Sequence, residues 1–187
     1  MFAAAGSSEA ATAGPGVGVH LRLSGRPTWG ANLAVVAYTT AEARGQVLLA
    51  LGEAADQLAL ALACLAEAFE QLDDNSAEEL EAGLFGPVQA AYGRAMRTYS
   101  EFVDRHGLAD RVFEPRSAGV RSQGAKVFIE RAIEATGQAD HGIAVLQDSM
   151  LPVEAGDAAL RAGLSEVREL IGGLPMQGRK VLRTLGR

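Results

Sequence analysis

The sequence predicts an all-α fold, an antiparallel up-down-up-down four-helix bundle with long helices, and three observations carry that expectation. Of the 187 residues, 48% are apolar but only 5% aromatic, and much of the apolar share is alanine, which favours close-packed helices over strands rich in Val, Ile and Tyr. Between Val47 and Leu72, the residues Leu51, Ala55, Leu58, Leu62, Leu65, Phe69 and Leu72 recur at alternating spacings of four and three, the seam of a helix packed along its length. Three later stretches carry matching seams, and the turns between them are mostly short. A chain of this length suits one domain with a core that needs no staples.

The elements follow in order. Residues 1–28 are Gly- and Ala-rich and nearly uncharged, and they read as a disordered tail in which Val19–Leu23 (VHLRL) alternates like a short extended arm. Residues 29–187 form the bundle domain. Thr40, followed by Glu42, is the favoured cap of the first main helix, with a shorter segment from Trp29 or Ala31 before it. That helix ends at Asp73-Asp74-Asn75, and Ser76 with Glu79 forms a capping box that opens the second. The second helix carries Leu80, Leu84, Val88, Ala91, Ala95, Tyr99 and Phe102 on one face, is kinked at Gly86-Pro87 and stops at His106-Gly107. Leu108–Arg116 is the longest internal connection. A third helix from about Ala118 to Met150 has Phe128, Ala132, Ala135, Ala139, Gly142 and Leu146 in register, and its small residues invite close approach of a neighbouring backbone. After Pro152 the fourth carries Leu160, Leu164, Val167, Ile171 and Leu174 and ends at Gly172-Gly173 and Pro175. A short basic amphipathic helix, Met176 to Leu185, closes the fold.

Composition narrows the function classes. Cys64, the one cysteine, sits in an apolar run and reads as a small buried hydrophobe, with no disulfide or metal cluster available. The N-terminus has neither a positive leader nor an apolar core segment, and the charge-free run Leu58–Ala66 is too short to span a bilayer. A cytoplasmic location is the resulting expectation. No cofactor or metal is expected: the three histidines, His20, His106 and His141, lack the Glu three residues earlier that a carboxylate di-metal bundle needs, and no haem, P-loop or nucleophile-elbow motif is present.

Charge suggests where a partner binds. From Thr40 to Glu81 ten acidic residues stand against the single basic Arg44. With strict alternation of helix direction, the turn holding Asp73, Asp74, Glu78, Glu79 and Glu81 shares one end with Asp148, Glu154 and Asp157. Arg105, Arg111, Arg116 and Arg121 then gather at the other end with Arg179, Lys180 and Arg183, a basic pole able to dock a protein partner. The plainer reading is that Arg is this chain's solubilising cation. The expected function is thus a non-enzymatic interaction or adaptor module that holds a protein partner or a second copy of itself as a homodimer. Nucleic acid, membrane and small-molecule substrates are not expected.

Two alternatives come from other classes. Glu78 and Glu81, then Glu101 and Asp104, follow a Glu-x-x-Glu, spacer, Glu-x-x-Asp pattern that resembles the magnesium-binding signature of the all-α nucleotide pyrophosphatases. The resemblance implies four carboxylates holding Mg²⁺ against a triphosphate. On a continuous helix, however, Glu81 and Glu101 stand about 30 Å apart. The other alternative is peripheral membrane attachment through Val181, Leu182 and Leu185, which share a helix with basic neighbours.

Overall fold

The computed structural model describes residues 29–185, with side chains from Thr39 onward. The expected tail and its Val19–Leu23 arm lie outside the described residues, which are helical wherever they form regular structure. Helix α1 spans Trp29–Phe69, α2 Asp74–Leu80, α3 Gly86–His106, α4 Ala125–Asp148, α5 Leu151–Glu154, α6 Ala158–Ile171 and α7 Leu174–Leu185. A π-helical segment, Glu81–Phe85, joins α2 to α3 without a break, and a 3₁₀ turn, Arg121–Gln123, precedes α4.

Local chemistry explains most boundaries and corrects several. Thr39 and Thr40 lie inside α1, well past its start at Trp29, and not at a helix N-terminus; a threonine hydroxyl can bond back within a helix, so a cap residue type does not dictate a cap. The cap of α2 is Asp73, whose carboxylate accepts from the Ser76 backbone N–H at 3.1 Å, in place of the expected Ser76. That bond, chiefly from the Ser76 backbone, holds the Asp73 carboxyl below its usual range. Pro87 has no N–H to give, and the chain absorbs it in the π turn just before it, where the Gly86 N–H reaches back to the Glu81 carbonyl. Gly107, at φ +60°, ends α3 in the left-handed conformation that helix C-termini favour. Pro175 sits in the first turn of α7, where its missing N–H costs nothing, rather than at the end of the helix before it, which stops at Ile171.

The long helices share one continuous core, and the cross-contacts fix their directions. Arg44 on α1 donates to the Ala155 carbonyl just past α5, so α4 ends beside the lower part of α1 and runs antiparallel to it. Arg94 pairs with Glu166 at 2.5 Å and Arg105 with Asp157 at 2.8 Å, which sets α3 antiparallel to α6. Arg168 reaches Asp140, and Gln147 meets Ser165, so α6 is antiparallel to α4 as well. It follows that α3 and α4 run the same way. Strict up-down-up-down alternation therefore fails at one place: the 107–120 connection does not lead directly into α4 at the end of α3 but climbs along α1 to the other end first. Arg111 bonds Asp56, Arg116 bonds the same carboxylate, and Arg121 pairs with Glu67 farther up. The strap is long because it is a crossover, and a sequence-only count of short turns had no term for it.

At the lower end, Asp157 ties α6 to α3. It caps α6 by accepting from the Leu160 N–H at 2.7 Å, accepts both Nε and Nη2 of Arg105, and lies 3.1 Å from His106 Nε2. Partial burial pushes its pKa up, but the Arg105 and Leu160 hydrogen bonds and the His106 contact outweigh that and hold it at about 2. A carboxylate with a depressed folded-state pKa stabilises the fold above its unfolded value near 3.8 and loses that contribution as pH falls towards 2. Asp157→Asn, which keeps a capping side chain, is expected to remove this acid-range dependence. Asp157→Ala also removes the cap and costs about 1 kcal/mol more; urea melts of both variants between pH 2 and pH 7 check this.

Candidate docking groove

The most extensive helix contact is between α1 and α4. Both helices bury small residues, Ala54, Ala55 and Ala61 on α1 and Ala132, Ala135 and Ala139 on α4, which lets two helix axes approach closely. On the outer side of that contact, short side chains leave a furrow. Gln46, Ala50, Glu53, Ala54, Gln57 and Leu60 recur at three- and four-residue steps and so form one stripe of α1. Gln138, His141, Gly142, Val145 and Ser149 form the facing stripe of α4. Between them lies a cleft of about 730 Å³. Fourteen residues of α1 separate Gln46 from Leu60, so the cleft is about 21 Å long, the length of a four-turn helix or a short extended segment.

Its walls differ in character. Ala50, Ala54, Leu60, Val145 and Leu151 supply the apolar surface, while Gln46, Glu53, Gln57, Gln138 and His141 place polar groups along the rim. Val145 is 53% exposed, and Leu49, one step off the stripe, is 60% exposed. Such an apolar strip rimmed by polar residues is the surface type that marks an interaction site. Leu48, by contrast, is buried at 7%. The crossover contributes Arg116 to the side of the groove and is pinned to α1 beside it. Arg111 donates to the Gly52 carbonyl at 2.7 Å, pairs with Asp56 at 2.8 Å and lies over the Phe113 ring, whose edge meets Tyr99. A side chain at residue 52 would strike the Arg111 guanidinium, its Cβ 2.9 Å from Cζ, so glycine there admits the clamp. Arg116 bonds Asp56 at 2.5 Å.

The residues expected to form a basic pole are not gathered. Arg105 sits at the lower end on Asp157 and Glu101, Arg111 and Arg116 sit at mid-height on Asp56, and Arg121 sits near the upper end on Glu67. Arg179, Lys180 and Arg183 are exposed on α7, which packs near α2 and the π segment and thus at the same end as Asp73, Asp74 and Glu78. The expected acidic end splits likewise, because Asp148, Glu154 and Asp157 are at the lower end. Segregation of charge by end required strict alternation, and the crossover removes it.

The magnesium pattern is not assembled either. The helical path from Asp74 to His106 is continuous, which holds Glu81 and Glu101 about 30 Å apart. Among the described residues no cluster of His, Cys, Asp or Glu is placed to hold a metal ion. The apolar face of α7 is spent inside the fold: Leu174 and Val181 are buried, and Gly178 packs directly on the Ile133 side chain. By length and composition Thr39–Phe69 could cross a membrane, although half of its apolar window is buried within the bundle. The sequence reading singled out the small-residue face of the third helix but did not assign a groove to it. The signal within that face is Gly142, which lines the groove and where an added Cβ would meet nothing. Comparison with family models, with curated proteins and with solved structures finds no match to this chain.

Proposed function

We propose that this chain is a non-enzymatic helical interaction module, cytoplasmic in setting, that holds an apolar segment of a protein partner in the α1–α4 groove. The observation that carries the reading is the groove's form: a helix-length apolar furrow with polar margins, next to exposed Leu49 and Val145. A furrow between two parallel-sided helices accepts an amphipathic segment as a third stave, burying apolar anchors while Gln and Glu side chains at the rim bond its polar edge. At about 25 cal/mol per Å², covering Leu49, Leu60 and Val145 contributes on the order of a few kcal/mol, enough for a reversible partner. The basic residues play a supporting part in this reading: Arg111 and Arg116 fix the crossover beside the groove.

The test uses a position where filling the groove leaves the fold intact. Gly142→Leu meets no neighbour at its Cβ and replaces a helix-interior glycine, so it is expected to hold or raise stability. Affinity capture from a native extract with wild type, Gly142→Leu and Val145→Glu should recover a defined protein with the wild type and lose it by more than about tenfold with both variants. Equal recovery with all three sinks the groove reading. Loss on reversing Arg179 and Arg183 alone would place the contact on α7.

A further inference from the structure

We infer that the upper end of the bundle is a self-association surface, on which α7 of each of two copies packs into an acidic, aromatic cleft of the other. This surface is separate from the α1–α4 groove, and three observations carry it.

The first is the cleft. The end of α1 sets Ala66, Phe69 and Glu70 opposite Glu81 and Phe85 of the π segment, and between them lies a hollow of about 240 Å³. Phe69 is 38% exposed and Phe85 half-buried, so two aromatic rings furnish its apolar surface. Past Phe69 the surface continues over Leu72 to Asp74 and Glu78. Glu70, Asp74, Glu78 and Glu81 are exposed, and among the described residues none of them has a cation within ion-pair distance. Rings margined by carboxylates form a seat for cationic side chains with apolar stems.

The second is α7, which has that chemistry. Its sequence holds Arg179, Lys180 and Arg183 and no acidic residue. Met176, Arg179 and Arg183 stand at steps of three and four, an outward face about 10 Å long with Leu182 beside it. Met176 is 77% exposed. Elsewhere Arg94, Arg105, Arg111, Arg116, Arg121 and Arg168 are spent on carboxylates of the fold. Arg179 and Arg183 instead donate only to carbonyls of their own helix, which leaves their charge uncompensated.

The third is placement. The π segment that carries Glu81 and Phe85 also packs on α7: a Cβ at Gly83 would stand 3.6 Å from the Gln177 side chain and 3.9 Å from that of Val181. Cleft and basic strip therefore flank one short segment, yet no ion pair joins them within the described chain. A two-fold axis at the outer face of that segment sets the strip of each copy on the cleft of the other, a reciprocal contact that closes as a dimer. Met176 and Leu182 then lie against Phe69 and Phe85, while the α7 cations face the cleft carboxylates.

Charge reversal in the full chain, read by sedimentation equilibrium, tests this. The wild type should be a dimer at about 100 μM, weakened at least about tenfold as salt rises from about 50 mM to about 500 mM. One variant carries Arg179→Glu with Arg183→Glu, the other Glu70→Lys with Glu81→Lys, all at exposed positions. Each alone should associate at least about a hundredfold more weakly than the wild type, because like charges then face each other. Their equimolar mixture should dimerise again, since each reversed patch meets its complement. A monomeric wild type overturns the inference, as does a dimer that survives either reversal or a mixture that stays monomeric. Gly142→Leu should leave the dimer intact; its loss there would move self-association to the groove and overturn the inference too. Partner capture through the groove is read separately and stands or falls on its own variants.

Discussion

Leu58→Ala should lower the unfolding free energy by about 2–5 kcal/mol, whereas Leu49→Ala, two turns away on the same helix, should change it by no more than about 0.5 kcal/mol. Leu58 is fully buried at the centre of the α1 seam, and its removal costs both the transfer of the lost methyls and the cavity left behind. Leu49 is 60% exposed at the groove margin and contributes little to the folded state. Chemical denaturation of the two variants compares the two faces of one helix in one host. A similar loss at both positions would mean that the groove side of α1 is packed, and with it the docking proposal would fail.

A second large effect is expected where α3 crosses α6. The Gly163 position faces Thr98 so closely that an added Cβ would overlap Oγ1 and stand 2.6 Å from Cγ2. Thr98 is buried with its hydroxyl donating to the Arg94 carbonyl at 2.9 Å, so it has no free space to move into. Gly163→Ala therefore overpacks the contact at a cost of about 1–3 kcal/mol, despite alanine's better helix propensity. Thr98→Ala removes both offending atoms, and the double variant should recover most of the loss. A double-mutant cycle in thermal melts reads the coupling directly.

These positions also show what the sequence could and could not reveal. The seams of the continuous α2–α3 path and of α6 were fully legible: Leu80, Leu84, Val88, Ala91, Ala95, Tyr99 and Phe102, and Leu160, Leu164, Val167 and Ile171, are all buried. There the large residues define the stripe and period alone suffices. In the upper half of α1 the period misled. The buried stripe passes through Ala61, Cys64, Leu65 and Ala68, while Leu62 is half-buried and Phe69 is 38% exposed. Alanine takes the inner positions because helix axes come close there, and a reading that ranks residues by size assigns the seam to the leucines. The crossover was out of reach for a different reason. Its anchors, Arg111 and Arg116 on Asp56, are separated from their partner by more than fifty residues, and nothing local in the 107–120 segment distinguishes a turn from a strap. Every error about charge segregation followed from that one segment. The groove was legible only as a small-residue face on α4, because missing side-chain volume on two helices has no motif.

The central claim is that the α1–α4 furrow is a docking face, and a photo-crosslinking amino acid placed at Val145 tests it most directly. Irradiation of the full chain in its native cells should give a discrete adduct to one partner protein, with none of comparable yield from the same group at Val112 on the exposed strap. Adducts from residue 145 as sparse and as varied as those from residue 112 would contradict the account.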